Sequence, residues 1–95
     1  MDNLIEKIDS GRTRGYCESK IHNGKSYLFQ YAIKKKDGRY SAYYFSVDES
    51  KMDVFEDYAH EEVRQFINLA EAFNFLVGKG ADIKKFMAFK GVSPL

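Results

Sequence analysis

The sequence predicts an α+β fold: a three-stranded antiparallel β-meander packed on one long α-helix, with short N- and C-terminal helices. Two glycine turns predict the meander, because Asn23-Gly24 and Asp37-Gly38 each separate runs rich in Tyr, Phe, Ile and Val. An apolar repeat in the second half of the chain predicts the long helix. Because 95 residues is the size of one domain, we expect a single domain over residues 1–95.

The positions of the two turns define the strands and their register. We expect strands over Arg12–Ile21, Lys25–Lys35 and Arg39–Val47. Two-residue Asn-Gly and Asp-Gly loops favour type I′ turns, whose twist matches that of paired strands. Side chains alternate between the faces of a strand, so the turns place Tyr31 between Tyr16 and Tyr44 on one face.

Apolar spacing in the second half of the chain changes to the period of a helix. The stripe recurs at steps of four and three residues and consists of Ala59, Val63, Phe66, Ala70, Phe73 and Val77. Ser50 or Asp53 can cap the start of this helix, and Gly78 can end it. Shorter helices are predicted over Asp2–Ile8 and Asp82–Phe89.

The register divides the predicted sheet into two unlike faces. The small-residue face carries Gly15, Cys17, Ser19, Ile21, Leu28, Gln30, Ala32, Tyr43, Phe45 and Val47. The aromatic face carries Arg14, Tyr16, Glu18, Lys20, Tyr27, Phe29, Tyr31, Ile33, Tyr40, Ala42 and Tyr44. We expect the long helix to pack on the small-residue face, because small uncharged side chains allow a close approach.

That packing leaves the aromatic face as the candidate binding site. Each aromatic side chain can bury about 150–250 Å², so these rings together exceed the exposed apolar patch usual for a monomer. The candidate partner-binding residues are Tyr16, Tyr27, Phe29, Tyr31, Tyr40, Tyr44, Arg14 and Lys20. One alternative is that the terminal segments cover this face as ordinary core, through Leu4, Ile5, Ile8, Phe86 and Phe89. If the face is an interface, we expect a Tyr31→Ala variant to stay folded and lose its partner.

Charge is segregated along the chain, although the formal net charge is only +1. Residues 1–40 carry nine Lys/Arg and five Asp/Glu, whereas residues 41–62 carry one Lys and seven acids. The acidic stretch predicts a second partner surface for a basic protein, formed by Asp53, Glu56, Asp57 and Glu61. A net charge this small argues against a general polyanion binder.

The motifs of catalysis and metal binding are incomplete in this sequence. The run from His60 to Arg64 begins like a zinc-protease helix motif but has Arg64 where the second histidine is required. Gly78-Lys79-Gly80 lacks the Ser or Thr that follows the lysine of a phosphate-binding loop. Cys17 is expected on the core face, where cysteine acts as a small hydrophobe. We therefore expect no enzyme activity, no metal and no cofactor.

Two functions remain from the sequence. The first is a small non-enzymatic protein-interaction module, a homodimer or a partner-binding or inhibitory protein, that uses the aromatic face. The alternative is a nucleic-acid-binding module in which the same rings stack on bases while nearby cations hold phosphates. The phosphate contacts in that case are Arg14, Lys20, Lys34, Lys35 and Arg39. The sequence contains no membrane-spanning run, and its single cysteine fits a cytoplasmic location.

Overall fold

A five-stranded antiparallel sheet organises the computed structural model, which describes residues 2–54, 59–89 and 94–95. In chain order the elements are α1 (Asp2–Asp9), β1 (Arg14–His22), β2 (Lys25–Lys36), β3 (Arg39–Asp48), the 3₁₀ helix η1 (Glu49–Val54), β4 (His60–Phe66), α2 (Leu69–Gly78), the 3₁₀ turn η2 (Ile83–Lys85) and β5 (Met87–Ala88). The strands lie side by side in the order β4-β3-β2-β1-β5, and each neighbouring pair is antiparallel.

The central meander of β1, β2 and β3 forms as the two glycine turns predict. Asn23 and Asp37 have φ angles of 52° and 54°, and each is followed by a glycine with a positive φ. Such angles belong to type I′ turns, which Asn, Asp and Gly tolerate best. Tyr16 lies opposite Tyr31, and Tyr31 lies opposite Tyr44. The three predicted strands and their register are therefore confirmed.

The prediction of one long helix is wrong, and with it the predicted fold class. Val63 and Phe66 of the proposed stripe lie in β4, which pairs with β3 from Tyr40 opposite Phe66 to Ser46 opposite His60. This pairing satisfies backbone groups that β3 would otherwise expose at the edge of the meander. Val63, a member of the predicted apolar stripe, is 54% exposed. Pairing with β3, and not the helical spacing, therefore decides the structure of residues 60–66.

The helix α2 begins after β4, where Asn68 caps it. The Asn68 side-chain oxygen accepts a hydrogen bond from the Glu71 N–H at 2.9 Å. Such a cap satisfies one of the free N–H groups of the first helical turn. Ser50 and Asp53, the expected caps of the long helix, lie in η1 instead. The helix ends at Gly78, as the sequence predicts.

The N-terminal helix is confirmed by α1, but the predicted C-terminal helix over Asp82–Phe89 is wrong. Asp82 caps the short turn η2 through the Lys84 N–H, at 3.0 Å. The chain then forms β5, in which Met87 lies opposite Gly15 of β1. The residues of the predicted helix therefore form the turn η2 and the short strand β5 instead.

The helices pack on the aromatic face, so the predicted choice of core face is also wrong. The buried cluster consists of Ile8, Tyr16, Tyr31, Ile33, Ala42, Ala72, Leu76, Ala81 and Phe86. On the small-residue face, Tyr43 and Val47 are buried, but Cys17 is exposed and Ile21 is 73% exposed. Large rings have more apolar area to remove from water than small side chains, so covering them stabilises the fold more.

Candidate partner-binding surfaces

The predicted binding residues at the centre of the aromatic face are core residues. Tyr31 is fully buried, and Tyr16 is 7% exposed. The Tyr31 hydroxyl donates to the Lys79 carbonyl at 3.2 Å, and the Tyr16 hydroxyl accepts from the Asp82 N–H at 2.8 Å. Burial raises the pKa of both phenols, so both stay neutral. The aromatic face is therefore core, as the alternative expects, and Ile8 and Phe86 of the terminal segments take part in it. That alternative omits α2 and the connection after it, which also cover the face, and Ile5 is 41% exposed.

Two further tyrosines of the predicted site, Tyr40 and Tyr44, are half-buried at the margin of this core. The Tyr40 hydroxyl donates to the Asp9 carboxylate at 2.6 Å, and this hydrogen bond raises the pKa of the phenol. The Lys79 ammonium lies 5.4 Å from the centre of the Tyr44 ring. Both side chains therefore have intramolecular partners.

The remaining predicted rings, Tyr27 and Phe29, are half-buried toward the β1–β2 turn. Lys20 lies 5.5 Å from the centre of the Phe29 ring and donates to the Gly80 carbonyl at 3.2 Å. Its ammonium also lies 3.0 Å from the Glu18 carboxylate. The predicted cation Lys20 is thus engaged within the chain, and it holds the α2–η2 connection against the sheet.

Of the four residues of the predicted acidic surface, the structure describes the contacts of Glu61 and the backbone position of Asp53. Glu61 is an exposed residue of β4, and its carboxylate accepts a hydrogen bond from the Tyr43 hydroxyl at 2.8 Å. Asp53 falls within η1, whereas Glu56 and Asp57 lie outside the described residues. The acidic surface stays a prediction of the sequence.

A groove of about 480 Å³ brings together α1, the start of β1 and η2. We call it the basic groove; it is lined by Asn3, Leu4, Lys7, Arg14, Ile83, Lys84 and Phe86. Leu4 and Ile83 are half-buried, and Phe86 is 9% exposed, so its apolar lining is continuous with the core cluster. The groove therefore combines an apolar wall with three cations.

The cations of the basic groove have no carboxylate partner among the described residues. The described ion pairs involve other cations, namely Lys20, Lys35, Arg64, Lys79 and Lys85. Arg14 donates one hydrogen bond, at 2.9 Å, to the Thr13 carbonyl, which leaves further guanidinium donors for a ligand. A concave site with cations and no lining acid attracts anionic groups.

Sequence reasoning placed one of these cations, Arg14, in a binding site and missed the other two. Lys7 follows Leu4 by three residues, so the confirmed helix α1 already puts both on one side. That spacing was a usable signal. Lys84 could not be placed, because its position depends on η2 and the predicted helix over Asp82–Phe89 does not form.

No protein-family model, curated protein or solved structure matches this chain.

Within the described residues, no group of three or more His, Cys, Asp or Glu side chains could hold a metal ion. Cys17 is exposed, and partial desolvation raises the pKa of its thiol, so the thiol is protonated at neutral pH rather than activated. Neither described helix has the length and apolarity to cross a membrane. The basic groove is the strongest candidate site.

Proposed function

We propose that the protein is a non-enzymatic interaction module that binds an acidic, partly apolar segment of a partner protein in the basic groove. The observation that carries this proposal is the convergence of Lys7, Arg14 and Lys84 on an apolar lining in which no described residue is an acid. Carboxylates of the partner would accept charge-assisted hydrogen bonds, and the Arg14 guanidinium suits bidentate pairing. Apolar side chains of the partner would pack on Leu4 and Ile83.

Nucleic-acid binding by the aromatic face receives less support. Its central stacking residues, Tyr16 and Tyr31, are covered, and base stacking needs an accessible ring. Among the described residues that line the basic groove, the aromatic one, Phe86, is 9% exposed. A cytoplasmic location remains a prediction of the sequence.

Fluorescence anisotropy with a labelled Glu-rich peptide, carrying Leu at every third or fourth position, tests the proposal. The expected result is saturable binding that the triple variant K7E/R14E/K84E weakens about tenfold or more, since each tenfold is about 1.4 kcal/mol. The matched control is K25E/K36E/R39E, which changes the net charge equally at exposed cations outside the groove. The control is expected to bind within about twofold of the wild-type protein.

Three outcomes would contradict the proposal. The first is the absence of saturable binding to the wild-type protein. The second is equal weakening by both triple variants, which would show a response to net charge alone. The third is undiminished binding of a peptide in which Gln replaces every Glu, which would show that the groove selects apolar groups and not carboxylates.

A further inference from the structure

The outer edge of β4 offers a backbone surface at the end of the sheet opposite to β5. β4 is the last strand of the sheet, and no strand among the described residues pairs with its outer side. An edge of this kind presents N–H and C=O groups to a strand of another chain. Its seven residues contain one exposed apolar side chain, Val63, among charged and polar ones.

A second copy can extend the sheet antiparallel, about a two-fold axis perpendicular to it. Such an axis keeps the helices of both copies on one side, so residues that pair across it must share a face. The three registers with the most overlap place Glu62, Val63 or Arg64 opposite its own copy. Glu62 on the axis would oppose two carboxylates, and Arg64 on the axis would oppose two guanidinium groups; both arrangements destabilise.

The register with Val63 on the axis has the greatest overlap, and it pairs opposite charges. Glu62 of each copy then lies opposite Arg64 of the other on the aromatic-face side. Within one chain the Glu62 carboxylate lies 2.7 Å from the Lys79 ammonium of α2 and 3.3 Å from Arg64, so an interchain pair would bring a second guanidinium to this carboxylate. On the other side Glu61 lies opposite Gln65, whose amide can donate to the carboxylate.

We propose that the protein forms a homodimer in which two β4 strands pair about Val63 into one ten-stranded sheet. Seven antiparallel residue pairs supply about six to eight interchain backbone hydrogen bonds. The β1 edge fits a second copy less well, because β5 already pairs with its start. In addition, Lys85 binds the Glu18 carboxylate of β1 at 3.0 Å. The β4 dimer places the two basic grooves at the far ends of the extended sheet.

Sedimentation equilibrium over a range of protein concentrations tests this dimer. The wild-type protein is expected to show a reversible monomer–dimer equilibrium. Val63→Lys puts two ammonium groups on the axis and is expected to give a monomer with unchanged circular dichroism. The matched control is Ile21→Lys, which makes the same kind of change at a residue of β1 that is 73% exposed. The control is expected to dimerise like the wild-type protein.

Two substitutions of the exposed Gln65 are expected to change the dimer affinity in opposite directions. A folding defect would weaken the dimer in both variants and cannot produce this pattern. Gln65→Lys faces Glu61 of the other copy and is expected to strengthen the dimer about fivefold, because the pair occurs twice. Gln65→Glu is expected to weaken it about as much. A wild-type protein that is monomeric at every concentration, or a dimer lost with Ile21→Lys and kept with Val63→Lys, would overturn the proposal. The groove variant K7E/R14E/K84E is expected to dimerise like the wild-type protein. Failure of the dimer can therefore be distinguished from failure of peptide binding in the basic groove.

Discussion

The two faces of the sheet arise from the same strands and the same turns, but they are stabilised in different ways. On the aromatic face the Tyr31 ring lies 5.2 Å from the Tyr16 ring and 5.8 Å from the Tyr44 ring, and two short helices cover the row. On the small-residue face, Tyr43 and Val47 are buried, but Ile21 is largely exposed and Leu28 is half-buried. The apolar area to be covered, and not the ease of close approach, therefore selects the face on which α1 and α2 pack.

The largest expected effect is at the centre of the aromatic face. Tyr31→Ala removes a fully buried ring, and we expect the free energy of unfolding to fall by about 3–5 kcal/mol. Tyr31→Phe keeps the ring and loses the hydrogen bond to the Lys79 carbonyl, at a cost of about 1 kcal/mol. Urea denaturation followed by circular dichroism measures both. A Tyr31→Ala variant of wild-type stability would show that the aromatic face is not the core.

Gly15 tests how closely β1 approaches β2 behind the row of rings. A Cβ atom at this position would collide with the Tyr31 carbonyl and the Ala32 backbone, so we expect Gly15→Ala to cost about 1–3 kcal/mol. The control is Gly78→Ala at the end of α2, where an added Cβ meets no atom within 4 Å. The same denaturation experiment compares them, and equal stability of the two variants would contradict the described approach of the strands.

A substitution on the small-residue face is expected to have a smaller effect than one on the aromatic face. Leu28 is half-buried, so we expect Leu28→Ala to lower the free energy of unfolding by about 1–2 kcal/mol, less than truncation of a fully buried leucine. Thermal unfolding of Leu28→Ala and Tyr31→Ala under the same conditions shows which variant loses more stability. A cost as large as that of Tyr31→Ala would mean that the small-residue face is covered as completely as the aromatic face.

The smallest expected effect is the acid dependence contributed by Glu18 at the edge of the aromatic face. Burial raises the pKa of this carboxyl, but hydrogen bonds from Lys85 and Lys20 outweigh burial, so the pKa falls below its ordinary 4.5. A lowered pKa stabilises the fold above the unfolded-state value, and the contribution is lost as the pH falls through the folded-state value. Urea denaturation between neutral and acid pH should show a shallower loss of stability for Glu18→Gln. An unchanged slope would contradict these contacts.

The sequence predicts the local part of this fold well and the tertiary part poorly. Type I′ turns at Asn23 and Asp37 depend on backbone preferences of two residues, and they determine the register without any distant contact. The residues from His60 to Phe66 have no such local determinant. Their strand forms because β3 presents an edge, which is a tertiary effect that helical spacing cannot reveal.

The candidate site was predictable to the same extent. The row of rings follows from register, but its polar partners Lys79 and Asp82 lie in the α2–η2 connection. They are 48 residues from Tyr31 and 66 residues from Tyr16 along the chain. Arg14 and Lys7 could be placed near one another through α1 and β1. Lys84 joins them through η2, whose geometry depends on the cap at Asp82.

With the aromatic face covered as core, we propose that the partner binds in the basic groove. The most direct test is a titration of ¹⁵N-labelled protein with the Leu- and Glu-containing peptide, followed by two-dimensional NMR of the backbone amides. We expect shifts concentrated at Leu4 and Lys7 of α1, at Arg14, and along η2. Shifts concentrated at Tyr27 and Phe29, or no saturable shifts at all, would contradict it.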